Sequence, residues 1–164
     1  MSDLWRPAYV AVGGNLGAPR DRVTDALARL TALQSTRVEA VSRLYLSHPM
    51  GPQDQPYFVN AAAGLLTRLG ARPLLDSLLR IEQDMGRDRR ERWGPRIIDL
   101  DLVWIAGEPI DVPGLTLPHP GVSARNFVLY PLRDIAPTLS IPGHGSVADL
   151  AARVNGDGIS VLET

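Results

Sequence analysis

Apolar residues recur with two different periods along residues 8–107, and the periods take turns. "AYVAVGGN" (8–15) alternates like a strand and ends in a glycine turn. From about Pro19 to Leu33, Val23, Leu27 and Leu30 return at helical spacing. "RVEAVSRLYLS" (37–47) alternates again, imperfectly, through Val38, Ala40, Leu44 and Leu46. "YFVNAAAGLLTRL" (57–69) is apolar and fits strand or helix by period alone; Gly64 and the neighbouring strands favour a strand. Residues 71–86 carry Leu74, Leu75, Leu78, Leu79 and Glu82 at helical spacing and stop at Gly86. "IIDLDLVWIAG" (97–107) closes the series as a strand.

The order β-α-β-β-α-β is the split pattern of a ferredoxin-like sandwich, an α+β fold with an antiparallel sheet and both helices on one face. From Glu108 onward the chain is rich in proline and glycine until "VLYPLRDIA" (128–136) and "VADLAARV" (147–154), which predict a short helix and a terminal helix. There is no internal repeat, linker or low-complexity tract. Residues 1–164 therefore read as one domain with an irregular C-terminal extension, long enough to bury roughly 70% of its unfolded surface.

The chain has no cysteine, which excludes disulfides, thiol nucleophiles and thiolate zinc sites. His48, His119 and His144 are far apart in sequence and form no HExxH pattern. No apolar run is long enough to span a bilayer and no basic start precedes an apolar stretch, so a cytoplasmic location is the default expectation. Seventeen basic and eighteen acidic residues leave a net charge of −1, which gives no electrostatic case for nucleic acid or membrane. Every basic residue is arginine, so there is no GxxxxGK[ST] loop. Any phosphate must meet arginine, backbone amides or metal.

Five arginines crowd "GRDRRERWGPR" (86–96), directly before the last strand. In that strand Asp99 and Asp101 point to one side while Ile98, Leu100, Leu102 and Trp104 point to the other. Two carboxylates about 5 Å apart repel by roughly 3 kcal/mol at an effective dielectric near 20, so a positive partner is required. Adjacent arginines on a solvated face are one answer. Magnesium, a hard ion that takes one or two carboxylates together with phosphate oxygens, is the other.

"YVAVGGNLG", "SHPMGPQDQPYFVNAA", "RIEQDMGRDRRERWGPRIIDLDLVW" and "LTLPHPGVSARNFVLYPLRDIAP" together resemble the 6-hydroxymethyl-7,8-dihydropterin pyrophosphokinases of folate biosynthesis, in the same order over about residues 8–140. The resemblance implies a ferredoxin-like core, two Mg2+ ions, and a reaction in which ATP gives its β,γ-pyrophosphoryl group to the hydroxymethyl of the reduced pterin and AMP leaves. It implies Asp99 and Asp101 as metal ligands and, with Arg87 and Arg92, as catalytic residues. For the pterin it implies Phe58 and Phe127 as a ring sandwich, Asn60 as reader of the amide edge, and Ser47, Met50, Trp93 and Asp99 as further contacts. For ATP it implies Glu82, Arg89, Arg92, Trp93, Arg96, Ile98, Thr116, His119 and Arg125. Leu79, Gly114 and Pro120 depart from the family pattern, where glutamine, arginine and tyrosine stand in the relative compared, and each removes a nucleotide contact.

The loops at 48–56 and 86–96 flank the implied site and are expected to close when both substrates bind. "GGNLG" reads as a tight strand-to-helix turn rather than a phosphate cradle. An RNA-binding module of the same fold is disfavoured by the neutral charge, the few aromatics and the lack of a "GFGFV"-like segment. A regulatory ligand-binding domain with a salt-bridged acid pair is a third reading. The expected partners are ATP and the pterin, with no nucleic acid and no membrane; the sequence does not fix the oligomeric state, and a monomer is the simplest assumption.

Overall fold

The computed structural model describes residues 4–49, 55–86 and 97–162. Along the chain the elements are β1 (Arg6–Gly14), α1 (Pro19–Leu30), β2 (Thr36–Val41), β3 (Tyr45–Ser47), β4 (Phe58–Thr67), α2 (Ala71–Asp84) and β5 (Asp99–Ile105). Then follow β6 (Ile110–Val112), β7 (Leu115–Leu117), a 3-10 turn (Val122–Ala124), α3 (Asn126–Ile135), β8 (Ser140–Ile141), β9 (Gly145–Ser146), α4 (Val147–Arg153) and β10 (Ile159–Val161). The fold is mixed α/β, with α1, α2 and α3 against a six-stranded antiparallel sheet in the order β10-β3-β4-β1-β5, β2 also paired to β4, and α4 packed on α3.

Partners in register share a face. Tyr9, Ala11 and Gly13 of β1 stand opposite Gly64, Ala62 and Asn60 of β4. Ala11 and Gly13 also stand opposite Asp101 and Asp99 of β5. This face is covered by α3, whose Ile135 approaches Gly64 and whose Phe127 meets the Asn60 end. The other face carries the buried Val10, Val12, Leu65 and Leu100, against which α1 places Val23, Ala26 and Leu30 and α2 places Leu74, Leu78 and Ile81. Burying each such aliphatic side chain contributes about 1.5–3 kcal/mol.

The stretch 37–47 is two strands, not the single one its alternation predicts. Ser42 interrupts it: its N–H donates to the Ala62 carbonyl at 2.9 Å, its hydroxyl accepts from the Ala62 N–H at 2.8 Å, and the same hydroxyl donates to the Arg43 carbonyl at 2.7 Å. A side chain that takes over ladder bonds competes with the backbone and bends the strand. Helix α1 ends at Leu30, three residues early, where Thr31 turns its hydroxyl back to the Ala28 carbonyl at 2.6 Å.

The C-terminal extension is more ordered than its composition suggests. Two short hairpins, β6–β7 and β8–β9, precede and follow α3, and β10 returns to pair with β3. Helix α3 is fastened to the sheet by Asp134, which accepts from the Arg43 N–H, from Nε and Nη2 of Arg43, and from the Tyr45 hydroxyl, all at 2.9–3.1 Å. Burial alone would raise the Asp134 pKa. The hydrogen bonds from Arg43 and Tyr45 outweigh it and hold the carboxyl below its usual range.

Candidate active site

Asp99 and Asp101 stand one residue apart on β5 and line the same cavity, so the strand alternation delivers both carboxylates to one side. The cavity measures about 50 Å³ and is walled by Ala11, Gly13, Phe58, Asn60, Phe127 and Val128. Its floor is β1 and its cover is the first turn of α3. Phe58 and Phe127 face this one space although 69 positions separate them in the chain, because β4 pairs with β1 and α3 lies over both.

Asn60 is 4% exposed and its Nδ2 donates to the Ser47 hydroxyl at 2.7 Å. That bond fixes the amide orientation and turns Oδ1 toward β1, where a Cβ on Gly13 would stand 3.0 Å from it. Gly13 is thus more than part of a turn: its missing side chain leaves room for the Asn60 carbonyl. Ser47 itself is buried behind Asn60 and does not line the cavity.

A second cleft of about 400 Å³ opens on the far side of β5, between α2 and the β6–β7 hairpin. Leu75, Leu79, Leu115 and Leu117 form an apolar wall, and Asp101, Thr116 and His119 supply polar groups. Leu79, Gly114 and Pro120, the three positions that depart from the family pattern, all line it. Asp101 borders both cavities.

His119 is oriented from two directions. Its backbone N–H donates to the Val103 carbonyl at 2.9 Å, and its ring Nδ1 accepts the Gly121 N–H at 3.1 Å. An accepting Nδ1 places the proton of the neutral ring on Nε2. Burial pushes the imidazole below its ordinary pKa, Arg125 pushes it further, and Asp99 opposes both more weakly. The Arg125 guanidinium lies 5.9 Å from the centre of the Phe127 ring, so a nucleotide-side candidate and a pterin-side candidate are in contact range of each other.

Other predicted positions sit differently. Glu82 is buried and its Oε2 accepts the Leu100 N–H at 2.7 Å, which ties α2 to the start of β5; Ile98 is fully buried in the core. Neither lines a described cavity. Thr116 lines the cleft and donates to Asp111 at 3.3 Å. Met50, Arg87, Arg89, Arg92, Trp93 and Arg96 lie outside the described residues, as do most of the two loops expected to close. At the base of the first loop His48 and Tyr57 stack with ring centres 4.5 Å apart, and the buried Asn15 donates to Gln55 at 2.9 Å and to the Pro56 carbonyl at 2.8 Å. Sequence reading missed the roles of Asn15, Gly13 and Gly121; the first two act on partners distant in the chain, and the third through a side chain-to-backbone bond two residues back that composition does not reveal.

Among the described residues no group of three or more His, Cys, Asp or Glu side chains converges. Two carboxylates are an all-oxygen, hard donor pair, which suits magnesium when water and phosphate oxygens complete its shell.

Comparison with known proteins identifies the family. The family model described as 7,8-dihydro-6-hydroxymethylpterin-pyrophosphokinase matches residues 9–137. A Pseudomonas aeruginosa 2-amino-4-hydroxy-6-hydroxymethyldihydropteridine pyrophosphokinase is 47% identical over 94% of this chain and 95% of its own length. The Haemophilus influenzae protein of the same name is 42% identical over 87% of this chain and 89% of its own. A Plasmodium falciparum HPPK-DHPS structure superposes with a TM-score of 0.74 at 13% identity, covering 92% of this chain and 43% of that one, and so speaks to the fold alone.

Proposed function

The chain belongs to the 7,8-dihydro-6-hydroxymethylpterin-pyrophosphokinase family, and from that premise we propose that it transfers the β,γ-pyrophosphoryl group of ATP to the hydroxymethyl of 6-hydroxymethyl-7,8-dihydropterin, releasing AMP, as a step of folate biosynthesis. The observation that carries this reading is the position of Asp101 on the boundary between two cavities of different character. One is a small cavity bordered by two phenylalanines and an amide. The other is a larger cleft with an apolar wall and a polar end. Donor and acceptor bound in the two would meet at the Asp99–Asp101 pair.

The slot suits a bicyclic ring. Phe58 and Phe127 would stack on its faces and the Asn60 Oδ1 would accept from its amide edge, with orientation fixed by Ser47. At about 50 Å³ the slot is well below the roughly 300 Å³ at which small-molecule pockets begin, so its walls must move apart for the pterin to enter. In the cleft, the leucines would hold the adenine, Thr116 would turn its hydroxyl from Asp111 to the nucleotide, and neutral His119 would donate Nε2–H to a phosphate oxygen. Arg125, and Arg87, Arg89, Arg92 and Arg96 from the loop before β5, would complement the polyphosphate through bidentate forks.

Asp99 and Asp101 would hold magnesium, two ions on this reading, and when bound the metal supplies charge stabilisation for the phosphate oxygens and a template for the two substrates. The protein's part is alignment: the transfer needs oriented groups and complementary charge more than covalent help. We read the core as ferredoxin-like, with β2 and β3 counted as one interrupted strand beside β4. No helix among the described residues is long and apolar enough to cross a membrane; a cytoplasmic, single-domain, monomeric enzyme without nucleic acid is the fuller form of the proposal.

The test is to incubate the protein with ATP, magnesium and 6-hydroxymethyl-7,8-dihydropterin and to follow AMP. AMP should appear one-for-one with the pterin diphosphate and only when pterin and magnesium are both present. Nucleotide breakdown that is indifferent to the pterin, or that yields ADP, overturns the reading.

A further inference from the structure

Arg72 stands on the first turn of α2; Leu75 and Leu79, three and seven residues later on the same helix face, line the larger cleft, and Arg72, which is not itself part of that lining, reaches it through Gly114. Its Nη2 donates to the Pro113 carbonyl at 2.8 Å. The guanidinium also lies over Gly114, where an added Cβ would stand 3.5 Å from Nη1 and 3.7 Å from Nη2. Gly114 lines the cleft and has φ +78°, a conformation suited to glycine in the tight turn of the β6–β7 hairpin. Helix and hairpin, the two walls of the cleft, are thus joined at one end by a single arginine.

That end is the one away from the carboxylates. Along α2 the residues Arg72, Leu75, Leu79 and Glu82 run toward the start of β5, where Glu82 holds the Leu100 N–H between Asp99 and Asp101. Ten residues of helix place Arg72 about 15 Å along the axis from Glu82. A guanidinium has five N–H donors. One of Arg72's is used on Pro113, and among the described residues it makes no ion pair with a carboxylate.

We propose that Arg72 is a nucleotide-binding residue that grips the nucleoside moiety of ATP, donating N–H groups to its ribose or base acceptors while it holds the β6–β7 hairpin through Pro113. The transferred phosphates meet Asp101 at one end of the cleft, so what reaches Arg72 at the other end is the nucleoside. This rests on the reading of the cleft as the nucleotide site.

The experiment compares ATP with inorganic tripolyphosphate, which has the phosphates and no nucleoside. Arg72→Ala should weaken ATP binding and raise its KM on the order of tenfold, the size of a lost charge-assisted hydrogen bond, with kcat, the pterin KM and tripolyphosphate affinity unchanged. Unaltered ATP binding overturns the proposal, and so does equal weakening of ATP and tripolyphosphate, which marks a collapsed hairpin rather than a lost contact. His119→Ala is the companion variant. It should weaken both ligands; if it weakens neither, the cleft is not the nucleotide site and the failure belongs to that reading.

Discussion

The backbone N–H of Gly121 donates to Nδ1 of His119, two residues earlier, at 3.1 Å. A protonated ring has no lone pair there, so this bond exists only with the neutral imidazole. It acts in the same direction as burial and Arg125, which hold the pKa below the ordinary 6.5. His119 should titrate below 6.5 in an NMR pH series on the free protein. Bound ATP should raise that midpoint, because a polyphosphate beside Nε2–H favours the charged ring. A midpoint above 6.5 in the free protein would contradict the placement.

Gly121 has a second relation, to Arg125. A Cβ there would fall 2.6 Å from Nε of Arg125, closer than real contacts allow. Gly121→Ala should therefore displace the arginine and weaken ATP several-fold with the fold intact by circular dichroism. Pterin affinity, read separately by calorimetry, should change little.

Replacing Asp99 or Asp101 by alanine should reduce turnover by at least about a hundredfold, the scale for losing a key electrostatic group. Wild-type turnover in either variant would refute the metal role.

Phe127→Ala removes one wall of the slot and should weaken the pterin on the order of tenfold or more. ATP binding measured alone should be nearly unaffected. Equal loss for both ligands would mean that α3 as a whole had shifted.

Asp134 gives a stability prediction with a sign. Its folded-state pKa lies below the ordinary 3.8, so its contribution is fully present above that value and lost as pH falls through the folded one. Asp134→Asn should lower the thermal midpoint by a few degrees at pH 7, and the gap between variant and wild type should close as the solution is acidified below pH 3.8. A pH-independent gap would place its origin in packing instead.

The alternation of strands and helices up to β5, apart from the split of 37–47, was legible in the sequence from period and, at 57–69, from Gly64 and the neighbouring strands; the sidedness of Asp99 and Asp101 follows from period alone. Ser42 shows where period fails: it splits one alternating run into β2 and β3 through bonds to Ala62, a partner 20 residues away. The short hairpins and β10 were hidden because two- and three-residue strands owe their existence to their partners rather than to their own residues. Phe58, Asn60 and Phe127 were nameable through a family likeness, and the structure brings them together at one cavity. The tautomer of His119 and the grip of Arg72 on the hairpin depend on distances no linear pattern holds.

Strand β1 is hydrogen-bonded along both edges, to β4 for its whole length and to β5 for most of it. Bending it would break two ladders at once, so the surface beneath the slot is among the stiffest parts of the molecule. A ligand seeking extra room must lift the lid, not dent the floor. Compounds that reach toward α3 and Phe127 would find tolerance for added bulk, whereas those that thicken toward Ala11 and Gly13 would meet a wall.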